Sequence, residues 1–267
     1  MNASPTPDLV PAITRAVAVL DLLAAGGTHG LPVSAVAKDL GLPRSSTANI
    51  CASLESAGLI VRAGSHYRLG PRLLELGSRY LSGIDLVRHF YDLCESSPHV
   101  SGETGRLALL DRADVLYLAR YDGTQPLRLT SSIGDRYPAS VTATGKAMLS
   151  TRSADDVGAR LAATTTPLPR LTDKSISSIG ALMIELEVTR QRGWAIDDEE
   201  TTPGVCCLAV PVVERPAEPA AYAVSVTLEK PRLTVDMRTR LLSDLQRIAA
   251  GLTTPLHPHV RRSRREE

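Results

Sequence analysis

Neither a disulfide framework nor a C-x-x-C pair is present in these 267 residues. The four cysteines stand at Cys51, Cys94, Cys206 and Cys207, a spacing that excludes a cysteine-stapled secreted scaffold. No apolar run approaches the roughly 20 residues of a membrane span. The opening MNASPTPDLV lacks the basic and apolar regions of a secretory signal, so a reducing cytoplasm is the expected compartment. There is no internal repeat at a solenoid period.

Catalytic signatures are missing as well. G-x-S-x-G, H-E-x-x-H and G-x-G-x-x-G do not occur, and the six histidines are scattered, with His257 and His259 near the end. Thr144-Gly145-Lys146-Ala147 is similar to the end of a phosphate loop but lacks the upstream glycine and the following hydroxyl. The run Asp197-Asp198-Glu199-Glu200 has neither EF-hand nor helical spacing, so most of it reads as a solvated acidic turn. No catalytic residue, metal or cofactor is expected.

Excess charge of one sign is also lacking. The formal net charge is +1, so any nucleic-acid contact must come from local placement of cations. With 43% hydrophobic and 22% charged residues the chain is an ordinary globular composition, long enough for two domains with real cores.

The stretch Leu31 to Leu59 reads as helix, tight turn, helix. Val33, Ala37 and Leu40 share one helical face, Ser34 is placed to cap it, and Gly41 stops it. Pro43 sits where a first turn tolerates a missing N–H, and Thr47, Ile50, Leu54 and Ala57 then repeat at helical spacing. The outer face of this second helix carries Arg44, Ser45, Ser46, Asn49 and Ser53. Short hydrogen-bonding side chains let a helix approach base edges closely, and Asn pairs bidentately with adenine. A solvated helical hairpin has the same pattern, so the context decides.

Upstream, Ile13, Val17, Leu20 and Leu23 form a stripe expected to pack beneath the other two helices. Downstream, residues 60–69 read as two short strands around Gly64-Ser65. Three helices followed by a hairpin make a winged helix, whose hairpin offers Arg62, His66 and Arg68 to phosphates. From residue 11 to 70 five cations face three anions, which is mildly supportive.

Residues 71–86, with Leu73, Leu76, Tyr80 and Leu81, predict a linker helix broken at Gly83 that could serve a dimer. Beyond it the pattern predicts strands at 106–112, 115–121 and 127–132, a helix starting near Thr142, and a helix over 175–192. Strands at 205–213 and 221–228 and a final helix over 234–252 follow. This is an α+β domain over 87–252. Residues 1–10 and the basic tail 253–267, with Arg261, Arg262, Arg264 and Arg265, are expected to be disordered.

From Pro11 to Leu252 the chain resembles the IclR family of bacterial transcriptional regulators. The resemblance is carried by AITRAVAVLDLL, VSAVAKDLGLPRSSTANICASLESAGLI, YRLGPRLLELG, SGETGRLALLDR, YPASVTATGKAMLS and RGWAIDDEETTPGVCCLAVPVV in that order. It implies an N-terminal winged helix-turn-helix, a linker helix and a C-terminal GAF-like domain that binds a small organic effector, with homodimers or homotetramers on palindromic double-stranded operator DNA. It implies effector contacts at Ala143, Thr144, Asp197, Cys207, Ser225 and Thr227. The chemistry agrees, because free N–H groups at a helix N-terminus accept a carboxylate and alternation puts Ser225 and Thr227 on one strand face. Taken alone, the threonines near residue 142 would read as helix caps and the two strand hydroxyls as a polar face. Family members often carry Arg where Asn49 stands and His where Ser140 stands. The reading from another class is a cytosolic thiol-based redox sensor, or a small-molecule-binding enzyme, whose winged helix makes protein contacts.

Overall fold

A computed structural model of the chain describes residues 10–127, 131–162, 168–215 and 217–253. The expected terminal tails and the centre of the strand expected at 127–132 lie outside the described residues. The described residues fall into two compact units that divide between Gly83 and Ile84.

In the first unit, α1 (Pro11–Ala25) is followed by a two-residue strand β1 (Leu31–Pro32), α2 (Val33–Asp39) and α3 (Arg44–Ser56). The hairpin β2 (Ile60–Ala63) and β3 (His66–Leu69) comes next, then α4 (Arg72–Ser82). Gly41, at φ +61°, makes the turn between α2 and α3 in a conformation that a side chain would oppose. Pro43 takes the extended position just before α3, where its missing N–H costs nothing.

Two local expectations are corrected. Ser34 does not cap α2, because β1 pairs with β3, carrying the chain into the helix at Val33 with Pro32 at the cap position. In α1 the buried residues are Val19 and Leu23, whereas Ile13 is 63% and Val17 50% exposed. Both rows of α1 are apolar, so spacing alone does not choose between them. The core formed by Val19, Leu23, Val36, Cys51, Leu54, Ile60 and Tyr67 does.

The second unit begins with α5 (Asp85–Glu95), an amphipathic helix absent from the sequence expectations, followed by β4 (Thr104–Asp111) and β5 (Asp114–Asp122). Then come a short β6 (Arg136–Pro138), α6 (Ala143–Ser150), α7 (Ala154–Ala162), α8 (Ile179–Arg192), β7 (Ala195–Asp198), β8 (Val205–Val212), β9 (Tyr222–Glu229) and α9 (Val235–Thr253). The strands form one antiparallel sheet in the order β6-β5-β4-β9-β8-β7. One face packs Leu107, Leu208, Val210, Val224, Val226 and Leu228 against α5 and α9 through Phe90, Leu241, Leu245 and Ile248. The other packs Ala108, Ala209 and Ala223 against α6, α7 and α8 through Ala147, Met148, Val157, Leu161, Leu182 and Leu186. Small residues on this second face leave room, and that room holds the site.

Candidate functional site

On α3 the predicted outer row is present. Arg44, Ser45, Asn49 and Ser53 are exposed and Ser46 is half-buried, while Thr47, Cys51 and Leu54 point into the core. Ser53 spends its hydroxyl on the carbonyl of Asn49, 3.0 Å away, so the amide of Asn49 is the freer group of the two. In the hairpin, Arg62 donates to the Gly64 carbonyl at 3.0 Å and lies 5.8 Å from the Tyr67 ring centroid. Arg68 is exposed, and His66 shares a 3.1 Å contact with the Ser65 hydroxyl.

In the second unit, strand register assembles a polar pocket from residues far apart in sequence. Paired residues in antiparallel strands share a face. The row Thr104, Thr227, Cys207, Asp197 therefore lies across β4, β9, β8 and β7, and the adjacent row two residues along contains Arg106, Ser225 and Ala209. The α6 start closes the pocket. The side chain of Thr142 accepts from the Gly145 amide at 3.1 Å, capping the helix as its sequence position suggests.

The cavity among these side chains is about 30 Å³ and opens to solvent at its mouth. All six residues expected at the effector site, Ala143, Thr144, Asp197, Cys207, Ser225 and Thr227, line it. Arg106, Tyr117, Tyr137, Thr201 and Thr202 line it too and were not anticipated. The signal for Arg106 was a cation leading directly into the apolar run LALL of β4.

The acidic run is not the solvated turn its composition suggests. Asp197 and Glu200 are buried. Asp197 accepts from the amides of Glu200 (2.7 Å) and Thr201 (3.2 Å) and from the Thr201 hydroxyl (2.5 Å). Burial raises its carboxyl above the usual carboxylate value, opposed by those hydrogen bonds and by the charge of Lys146. Glu200 receives the buried ammonium of Lys146, which occupies the lysine of the T-G-K-A segment and leaves it unavailable to a phosphate. Burial also pushes Glu200 up, with Lys146 pulling back.

Burial lifts the Cys206 and Cys207 thiols to about 12 each. They point to opposite faces of β8 and pair with different neighbours, Cys206 with the carboxylate of Asp198 and Cys207 with the Thr227 hydroxyl. Neither thiol has the thiolate character of a reactive cysteine. Among the described residues no cluster of His, Cys, Asp or Glu is arranged to hold a metal, and no helix is long and apolar enough to cross a membrane.

The family model described as the IclR helix-turn-helix domain matches residues 12–64, and that of the bacterial transcriptional regulator IclR C-terminal domain matches residues 78–254. The chain belongs to the IclR family. Among IclR relatives, the glycerol operon regulatory protein of Streptomyces griseus is 33% identical over 251 residues, 92% of this chain and 96% of its own. The regulator KdgR of Escherichia coli is 29% identical over 78% of this chain and 79% of its own. A solved transcriptional regulator from Rhodococcus superposes with a TM-score of 0.76 at 25% identity, covering 92% of this chain and 97% of that one. An IclR homologue from Microbacterium hydrocarbonoxydans, complexed with 4-hydroxybenzoate, shares the fold at a TM-score of 0.76 and 21% identity, covering 91% of this chain and 97% of its own. As an IclR protein, the chain is a DNA-binding transcriptional regulator and not an enzyme.

Proposed function

We propose that this regulator reads a palindromic operator as a dimer or tetramer in the cytoplasm, and that a small organic acid in the β-sheet pocket changes its operator affinity. The observation that carries the reading is the convergence of Ala143, Thr144, Asp197, Cys207, Ser225 and Thr227, drawn from four elements, on one pocket. An ordinary core has no reason to gather so many buried polar side chains without pairing them all. The open amides at the start of α6 and the hydroxyls of Ser225 and Thr227 all suit the oxygens of such an acid.

In the first unit, Arg44, Ser45, Ser46, Asn49 and Ser53 face the major groove and Arg62, His66 and Arg68 lie against phosphates. The working domains are the winged helix over 11–70, a linker helix over 71–86 and the effector and assembly domain over 87–252. On α4, Leu74, Leu76 and Tyr80 are exposed, which fits a contact between copies in the linker.

Two substitutions separate specificity from general affinity. Asn49→Ala is expected to cost about 1–3 kcal/mol at one operator base and to relax the preference there. Arg68→Ala is expected to weaken binding to all sequences alike and to reduce the salt slope by roughly one. Fluorescence anisotropy on operator variants at several salt concentrations reads both. Uniform loss across sequences from both substitutions would remove Asn49 from base reading.

For the pocket, an effector must favour one of two states that differ in DNA affinity. Operator titrations of the full chain with and without acids such as 4-hydroxybenzoate should show a shift that Asp197→Asn and Ser225→Ala abolish. A shift unchanged by both substitutions places the effector elsewhere.

A further inference from the structure

Arg106 is the least explained charge in the protein. It is the third residue of β4, 5% exposed, and its Nη1 donates to the Thr227 hydroxyl at 2.8 Å. Its guanidinium carbon lies 5.4 Å from the centre of the Tyr117 ring. Its Nε is buried and has no hydrogen-bond partner, and no carboxylate among the described residues forms an ion pair with it. A buried cation without a counter-charge is costly, and one that stays in a fold is usually paired by something. Every other buried acid nearby is already engaged: Glu200 by Lys146, and Asp197 by two amides and a hydroxyl.

A second buried polar group lines the same pocket. The hydroxyl of Thr144, in the first turn of α6, makes no hydrogen bond of good geometry and has the Tyr117 hydroxyl as its neighbour. The Gly145 amide is taken by the Thr142 hydroxyl and the Lys146 amide by the Thr142 carbonyl, at 2.9 Å for the latter. The amides of Ala143 and Thr144 remain as the open donors of the helix start. The pocket thus presents a full positive charge on one strand and a weaker, dipolar donor site on a helix end, the latter equivalent to roughly half a positive charge.

We propose that Arg106 seats the carboxylate of the effector while the start of α6 takes a neutral oxygen at the effector's other end, making the effector a small monocarboxylic acid that carries a keto or hydroxyl oxygen. The inference rests on the pocket being the effector site. One carboxylate neutralises Arg106. A second would face the helix end with Asp197 already in the same enclosure, and like charges in a poorly hydrated space repel strongly. A guanidinium fork matches a carboxylate in two parallel hydrogen bonds, which also fixes the ligand's direction. Arg106 is therefore a specificity-determining residue, selecting for charge, and the α6 start selects the far substituent.

Calorimetric titration of the full chain with 4-hydroxybenzoate, lactate, 4-hydroxybenzamide and succinate tests this. At least one hydroxy monoacid should bind the parent, with the amide and the diacid weaker. Arg106→Gln should lose about 10- to 100-fold in affinity for that acid, the range of a charge-assisted hydrogen bond, and Arg106→Lys should keep part of it. Without ligand, Arg106→Gln should melt no lower than the parent, because an uncompensated buried charge is removed while a donor to Thr227 is kept. Unchanged acid affinity in Arg106→Gln, with loss in Ser225→Ala, would keep the pocket as the effector site and overturn the role of Arg106. Tighter binding of succinate than of either monoacid would overturn the class. A lowered melting point with unchanged acid affinity would make Arg106 structural. If no acid binds the parent, the pocket reading and this inference fall together.

Discussion

Lys146→Ala is expected to destabilise the second unit by about 3–5 kcal/mol, the cost of leaving one partner of a buried ion pair without its counter-charge. The ammonium and the Glu200 carboxylate are both withdrawn from water, with side-chain exposures of 1% and 8%. One Glu200 oxygen has no partner besides. Removing Lys146 therefore strands a carboxylate against α6, where burial already raises its proton affinity. The variant should partly recover when Glu200→Gln is added, since the stranded charge disappears, although the cavity left by the lysine stem remains. Trp194 is the sole tryptophan and lies against the core of this unit, so its fluorescence follows the unit's unfolding in urea. A Lys146→Ala midpoint equal to the parent's would show that water reaches Glu200 freely and that the pair contributes little.

Gly145→Ala should have the second large effect, and on function more than on DNA affinity. A Cβ at Gly145 would lie 2.7 Å from the carbonyl carbon of Ala139 and closer still to its oxygen and Cα. Backbone atoms cannot yield as a flexible side chain does, so the start of α6 must move. Overpacking of this kind costs about 1–3 kcal/mol. Because Ala143 and Thr144 belong to the same turn, the open amides move with it. We expect operator binding by the unliganded protein to persist and its response to acid to disappear, as read by anisotropy with and without 4-hydroxybenzoate. A normal response would exclude the α6 start from the effector site.

The α+β class, the helix-turn-helix with its hairpin and the longer strands and helices of the second unit were legible because each rests on local pattern, whereas α7 was passed over. Gly41, Pro43 and the continuous apolar runs of the second unit's strands act through neighbours in sequence. The helix α5 was legible too, since Leu86, Val87, Phe90, Tyr91 and Cys94 recur at helical spacing and pack on one core, and the sequence expectations passed over it. The short strands β1, β6 and β7 escaped because pairing partners, not propensity, make them strands. Ser34 and the phase of α1 failed for the same reason, through contacts that lie elsewhere in the chain.

What the sequence by itself determined is the set of local units and, by family resemblance, the six pocket positions that the fold gathers. Only the tertiary structure decided the burial of Asp197 and Glu200, the pairing of Lys146 and the presence of Arg106 in the pocket. Charge spacing along a chain says nothing about the dielectric around it. Four acids in a row look solvated until β7 pairs with β8 and carries the first of them under α6. An arginine in an apolar strand looks like an edge charge until strands on both sides enclose it, β5 and β9 flanking β4.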